Sequence, residues 1–266
     1  MIKDLINIAN EARNATLEFL EKDFEHSGDI VKIGAYGTHT SRIDIVAEQE
    51  VFKYVQEKDI PINILSEEFG YLERGYSATL VVDPIDGTYN AEHNIPYFSI
   101  SLAILKKDLL SASEAVLMNM INGKCYFAEK GKGAYFENRK LSVKKKNGDL
   151  LFVANIGNQV PDNIYNIIKH GRRVRAMGCA SLEMTMVAEG TADLFIYNNF
   201  PHPILRIIDI AASSFIVREA GGEVFDDSGE IMNMGFDLKE RKNAIAVGNI
   251  ELLDRFEIFK NMDKVG

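Results

Sequence analysis

Leu80-Val81-Val82-Asp83-Pro84-Ile85-Asp86-Gly87-Thr88-Tyr89-Asn90 reads as a strand that carries two aspartates to its end. The apolar, mostly β-branched run suits a buried strand. Pro84 fixes φ and lacks an N–H, so the strand is predicted to stop at Asp83. Asp86-Gly87 supplies turn chemistry, and Gly87 can take positive φ or let a ligand approach the backbone. Two carboxylates and the Ile85 carbonyl then share a stiff corner, and an all-oxygen set of this kind suits a hard divalent cation. Taken alone, an Asp-Gly after a strand is only a turn signal.

Moving outward, Ser66-Glu67-Glu68-Phe69-Gly70 follows a second apolar run, Ile62-Asn63-Ile64-Leu65. Two successive strand ends rich in carboxylates are hard to explain by packing, because like charges repel without a cation between them. Further along, Asp209 opens the apolar run Ile210-Ala211-Ala212-Ser213-Ser214-Phe215-Ile216-Val217. A carboxylate in a first helical turn suits the positive end of the macrodipole, which is a structural role in its own right.

The chain has 266 residues, 46% hydrophobic and 26% charged, enough for one large or two tightly joined domains with a sizeable core. Its net charge of −9 argues against nucleic acid or an anionic membrane as the main partner. Handling phosphate esters would then need local positive charge, for which bound metal is the obvious source. Cys125 and Cys179 lie far apart without metal-site spacing and read as packing residues in a reducing cytosol. There is no leader pattern after Met1 and no apolar run near ~20 residues, so a cytoplasmic protein is expected.

Apolar residues at a 3.6 period predict helices over 2–24 and 41–58. Between them lies a Gly/Thr/Ser-rich loop, 34–44. Strand patterns follow at 62–68, 79–86, 98–105, 115–120, 124–128 and 133–136, with Asn122-Gly123 as a two-residue hairpin signal. The polar break Lys144–Gly148 divides the chain into an α+β half carrying the acidic strand ends (1–147) and an α/β half completing the site (148–266). In the second half, strands at 151–155, 172–176, 192–197, 223–226 and 243–248 alternate with helices at 162–169, 180–189, 206–220 and 250–260. The five histidines lack metal-ligand spacing, which disfavours zinc.

Four segments in order carry a resemblance: Thr40-Ser41-Arg42-Ile43-Asp44, Glu67-Glu68, Asp83 to Thr88, and Arg206-Ile207-Ile208-Asp209-Ile210-Ala211-Ala212 followed by Glu219-Ala220-Gly221-Gly222. Together they resemble the inositol monophosphatase family of Mg²⁺-dependent sugar phosphatases. The likeness is greater to its archaeal members, which often act on both inositol phosphates and fructose 1,6-bisphosphate. Many members have tryptophan before the last aspartate, where this chain has Ile208.

The resemblance implies a layered α-β-α-β-α sandwich of the sugar phosphatase type, of mixed α+β and α/β character. It implies two or three Mg²⁺ ions, with Mn²⁺ as an alternative. Glu67, Asp83 and the Ile85 carbonyl would hold one ion, and Asp83, Asp86 and Asp209 a second. The nucleophile would be a water activated by metal, oriented by Thr88 with Asp44 accepting a hydrogen bond or proton, and Glu67 assisting. Glu68 would stand behind these ligands. Substrate would lie over Asp86, Gly87 and Thr88, with Arg175, Ala180 and Arg206 as further contacts. Arg172, Arg173 and Arg175 form a local basic cluster suited to an anionic substrate end or to a solvated strand edge. A homodimer is implied as well.

The expected substrate is therefore a small phosphorylated polyol or sugar. A nucleotide 3′-phosphatase of the same fold is one alternative, and a non-catalytic metal-bound scaffold or partner of RNA machinery is another. Asp44 and Thr88 together argue against the scaffold, since both serve only the water.

Overall fold

The computed structural model describes residues 1–34, 39–144, 148–199 and 201–262. The expected features at Ala35–Thr38, Lys145–Asn147 and Phe200 lie outside the described residues.

Helix α1 (Ile2–Asp23) leads through one 3₁₀ turn to β1 (Ile30–Ile33), which pairs antiparallel with β2 (His39–Ser41) before α2 (Arg42–Glu57). Then come β3 (Asn63–Ser66), β4 (Gly70–Leu72), β5 (Thr79–Asp86), α3 (Thr88–Glu92), β6 (Ser99–Leu105), β7 (Glu114–Asn119), β8 (Cys125–Glu129), β9 (Gly133–Phe136) and β10 (Arg139–Lys140). Among the described residues these form an eight-stranded sheet in the order β10-β9-β8-β7-β6-β5-β3-β4. It is antiparallel except where β3 and β5 run parallel. That parallel pair brings the Glu67 and Asp83 ends to the same edge.

The rest of the chain runs β11 (Leu151–Ala154), α4 (Asp162–Ile168), β12 (Arg173–Arg175), α5 (Ala180–Ala188), β13 (Leu194–Tyr197), α6 (Ile207–Glu219), β14 (Glu223–Phe225), β15 (Ala244–Val247), α7 (Glu251–Arg255) and α8 (Ile258–Met262). Its strands form a five-stranded sheet, β12-β11-β13-β15-β14.

Period-2 alternation along the strands builds the layers. Leu80 and Val82 of β5 pack with Leu5, Ile8, Ile43 and Val51 of α1 and α2, whereas Val81 faces the other way with α5 and α6. In β13, Phe195 joins that central core, while Leu194 and Ile196 pack against Ile164, Leu252 and Ile258 on the outer side. Helices α5 and α6 lie between the two sheets and are apolar nearly all round, as helices buried on every face must be. The order is thus α-β-α-β-α, the layered sandwich expected. Each fully buried Leu, Ile or Phe in these layers contributes roughly 1.5–3 kcal/mol relative to exposure.

Three local readings are corrected. Strand β5 covers the expected 79–86 and does not stop at Asp83 as Pro84 alone suggests. It continues to Asp86 through a bulge, pairing Asp83 with Ser101 and Asp86 with Ser99. Pro84 falls where the ladder is already interrupted, so its missing N–H costs no bond. The β7–β8 connection spans five residues, with Gly123 donating to the Asn119 carbonyl at 2.9 Å, rather than a two-residue turn. The predicted final helix splits into α7 and α8 at Glu257, which sits at φ +47.

Candidate active site

The edge where β3 and β5 end is walled by the first turns of α2, α3, α5 and α6. Asp44 lies in the first turn of α2, where its Oδ2 accepts from Ser41 Oγ at 2.6 Å and from Ser41 N at 3.3 Å. Its Oδ1 accepts from Thr88 Oγ at 3.2 Å, and the same hydroxyl reaches the Ile85 carbonyl at 2.9 Å. Burial pushes the Asp44 carboxyl up to about 7, with Glu67 adding to the rise and the Ser41 and Thr88 hydrogen bonds opposing it. Asp44, Glu67, Thr88 and Ser41 line one open cleft of about 320 Å³. A second hollow of about 340 Å³, by the end of α1 and residues 94–98, is mostly apolar and carries only Glu21 among ionisable side chains.

Gly87 sits at φ +89, and a Cβ there would meet the Gly178 carbonyl at 3.2 Å and Cys179 Cβ at 3.3 Å. Only glycine allows both the turn and this approach. Asn90 fastens the contact, its Nδ2 donating to the Met177 carbonyl at 2.7 Å and the Tyr97 carbonyl at 2.8 Å. Through this junction the start of α5 reaches Asp86. Ser181 N donates to Asp86 Oδ2 at 2.7 Å, Ser181 Oγ donates to the same oxygen, and Cys179 Sγ lies 3.1 Å from it.

The candidate ligands Glu67, Asp83, Asp86 and Asp209 feel one another's charge. Asp83 is fully buried, which lifts its carboxyl well above the usual range, and Glu67, Asp86 and Asp209 lift it further. Glu67 is raised by burial and by Asp209, against the pull of Arg206. Asp86 is raised by burial despite the Ser181 and Cys179 hydrogen bonds. An all-oxygen donor set crowded in this way fits Mg²⁺ by its chemistry. The side chains are nevertheless engaged elsewhere, and among the described residues no three Asp, Glu, His or Cys side chains converge as a ready ligand set.

Arg206 is where that engagement concentrates. Expected on substrate, its guanidinium instead sits on carboxylates, with Nη2 2.6 Å from Glu67 Oε1 and 3.1 Å from Asp209 Oδ1. Burial works against its charge, but Asp209 and Glu67 outweigh that and hold its pKa above the ordinary value. Glu68 stands behind, its Oε2 accepting from Thr40 Oγ. Ala180 is buried at the start of α5. Arg175 is exposed on the edge strand β12 and donates to the Val174 carbonyl. Of its neighbours, Arg172 and Arg173 are drawn to Asp149 instead.

Sequence reasoning missed Ser181, Cys179 and Ser41 as the donors that aim Asp86 and Asp44. It also missed Arg241, which the Leu205–Lys242 bridge places beside Arg206. Its guanidinium donates to the Leu238 and Glu240 carbonyls. For Ser41 a signal was available, since a Ser three residues before an acidic residue is a capping-box pattern.

A family model described as the inositol monophosphatase family matches residues 1–256. The chain belongs to the inositol monophosphatase family. Members of this family are metal-dependent phosphatases of phosphorylated small molecules. The chain is 36% identical over 250 residues to a fructose-1,6-bisphosphatase/inositol-1-monophosphatase of Methanothermobacter thermautotrophicus, covering 87% of this chain and 86% of that one. It is 34% identical over 269 residues to a bifunctional NADP phosphatase/NAD kinase of Methanococcus maripaludis, covering 92% of this chain. The match spans 46% of that longer relative. A solved structure from Pyrococcus horikoshii, described as having similarities to inositol-1 monophosphatase, superposes with a TM-score of 0.82 at 29% identity, over 97% of this chain and 96% of the other. The inositol monophosphatase fold thus accounts for the layered arrangement of both sheets. No helix among the described residues is long and apolar enough to cross a membrane.

Proposed function

We propose that this chain is a Mg²⁺-dependent phosphomonoesterase that hydrolyses inositol monophosphate, fructose 1,6-bisphosphate or both. The observation that carries the reading is the Thr88 hydroxyl, set between Asp44 Oδ1 and the Ile85 carbonyl on the wall of the cleft that Glu67 also lines. Glu67, Asp83, the Ile85 carbonyl, Asp86 and Asp209 would hold the metal, which supplies positive charge against the phosphoryl group and lowers the pKa of a water.

The remaining work falls to the chain's own groups. Thr88 Oγ has one proton to give to Asp44 or to Ile85, so its lone pairs remain free to accept from a water at the cleft. Asp44, with a pKa of about 7, is poised to take that proton through the hydroxyl. The reacting phosphate would lie over Asp86, Gly87 and Thr88, where the first N–H groups of α3 have no intrahelical partner. Ser181 and Cys179 tie Asp86 Oδ2 to the start of α5. Arg175 is the candidate for a second, distal phosphate, as in a sugar bisphosphate. By family likeness the working form would be a homodimer.

A second reading, hydrolysis of NADP to NAD, is favoured by the 34% identity over 46% of the relative named a bifunctional NADP phosphatase/NAD kinase. Phosphate release from inositol 1-phosphate, fructose 1,6-bisphosphate, NADP and nucleotide 3′,5′-bisphosphates, each with and without Mg²⁺, separates the readings. The first requires turnover of at least one of the first two substrates above the nucleotides. Preference for NADP establishes the second.

A further inference from the structure

We infer that Arg206 is a resident counter-cation of the carboxylate cluster, whose bond to Glu67 must open before Glu67 can serve a divalent ion, so that this arginine sets how tightly the site takes up metal. The inference rests on the reading of Glu67 and Asp209 as metal ligands.

Glu67 is the first residue after strand β3 and Asp209 lies in the first turn of α6, so the two carboxylates come from different layers of the sandwich. One guanidinium nitrogen joins them, 2.6 Å from Glu67 Oε1 and 3.1 Å from Asp209 Oδ1. Asp209 Oδ2 is taken as well, by Arg206 N at 2.5 Å and Nε at 3.4 Å. All three side chains are largely out of solvent, at 12%, 15% and 13% exposure, so salt and water screen them little.

Both oxygens of one candidate ligand and one of the other are thereby occupied by a cation built into the chain. A planar guanidinium can meet two carboxylates at once, which a lysine ammonium on its flexible stem does less well. A divalent ion at the same oxygens would stand within a few ångströms of this positive charge, where repulsion is strong in a water-poor setting. Metal entry therefore needs the Arg206 side chain to leave Glu67. Its backbone N–H can stay on Asp209, keeping the start of α6 in place.

The test is calorimetric titration of the full-length protein with MgCl₂, alongside thermal melts in EDTA, for wild type, Arg206→Gln and Arg206→Lys. In EDTA, Arg206→Gln should melt below wild type, because the carboxylates lose their counter-charge. Its Mg²⁺ affinity should rise by roughly 10-fold, the size of effect a close like charge exerts, with Arg206→Lys between the two. Folding of Arg206→Gln only when Mg²⁺ is present would support the same conclusion. Unchanged or weaker Mg²⁺ binding in Arg206→Gln would overturn it. Should that variant not fold even with Mg²⁺, Arg206→Lys decides alone, tighter binding supporting the inference and unchanged or weaker binding refuting it. Absence of Mg²⁺ binding by wild type would remove the metal-site reading and this inference with it, whereas wild-type binding that is insensitive to Arg206 removes only the inference.

Discussion

Thr88 Oγ lies 3.2 Å from Asp44 Oδ1, joining residues 44 positions apart at the first turns of two helices. Asp44 is held by Ser41 and so cannot follow the hydroxyl elsewhere. Thr88→Ala should lower kcat by at least ~10²-fold, the lower end of a general acid–base contribution. Mg²⁺ affinity should change little, and Thr88→Ser should recover most of the rate. Steady-state kinetics with calorimetry checks this, and lost Mg²⁺ affinity with kcat restored at high metal would assign Thr88 to the metal instead.

Asp83 is buried among other carboxylates, with its Oδ1 accepting from Ile85 N at 3.1 Å, a bond an asparagine can keep. Asp83→Asn should abolish Mg²⁺-dependent turnover and raise the melting temperature of the metal-free protein, since a buried carboxyl that must take up a proton or carry an unpaired charge is replaced by a neutral amide. Near-wild-type turnover at any Mg²⁺ concentration would remove Asp83 from the site.

The metal-free protein should lose stability as pH rises. Asp44 and Glu68 have carboxyls pushed up to about 7 and about 8, mainly by burial. Each binds a proton in the fold over a range where the unfolded chain has released it, so stability falls between about pH 4 and pH 8 and then levels off. Melting in EDTA from pH 5 to pH 8 should show a decreasing Tm, and saturating Mg²⁺ should flatten the trend. A Tm that rises over this window in EDTA would contradict the assignment.

Much of the fold was readable because its signals are local. The 3.6 period of Leu5, Ile8, Ala9 and Ala12 marks α1, and nothing distant competes with it. Asp83, Asp86 and Asp209 were readable as candidates because they sit at element ends within motifs that resemble the family's. What could not be read is where long or distant side chains meet. Ser181 reaches Asp86 across 95 positions, and only the β12–α5 turn meeting Gly87 makes that contact. Arg206 was readable as a cation, but its direction follows from how α6 enters beside the end of β3. The bulge at Pro84 likewise depends on the partner strand β6 rather than on β5 itself.

Arg175 tests substrate breadth. Its guanidinium is exposed and donates to the adjacent Val174 carbonyl, so it can be redirected to a ligand at little cost. A charge-assisted contact to phosphate contributes about 1.5–3 kcal/mol. Arg175→Ala should therefore raise KM for fructose 1,6-bisphosphate by roughly 10- to 100-fold, with kcat largely kept and inositol monophosphate little affected. Equal losses on both substrates would place Arg175 in service of the reacting phosphate or of the fold.

The central claim is metal-dependent release of phosphate from a small phosphorylated polyol or sugar. Its most direct measurement is inorganic phosphate production from inositol 1-phosphate and fructose 1,6-bisphosphate by the purified chain, stripped with EDTA and then given increasing Mg²⁺. The account predicts no release after stripping and a saturable return of turnover with Mg²⁺ on at least one of the two. Turnover that is unaffected by stripping, or no release from either at any Mg²⁺ concentration, would contradict it.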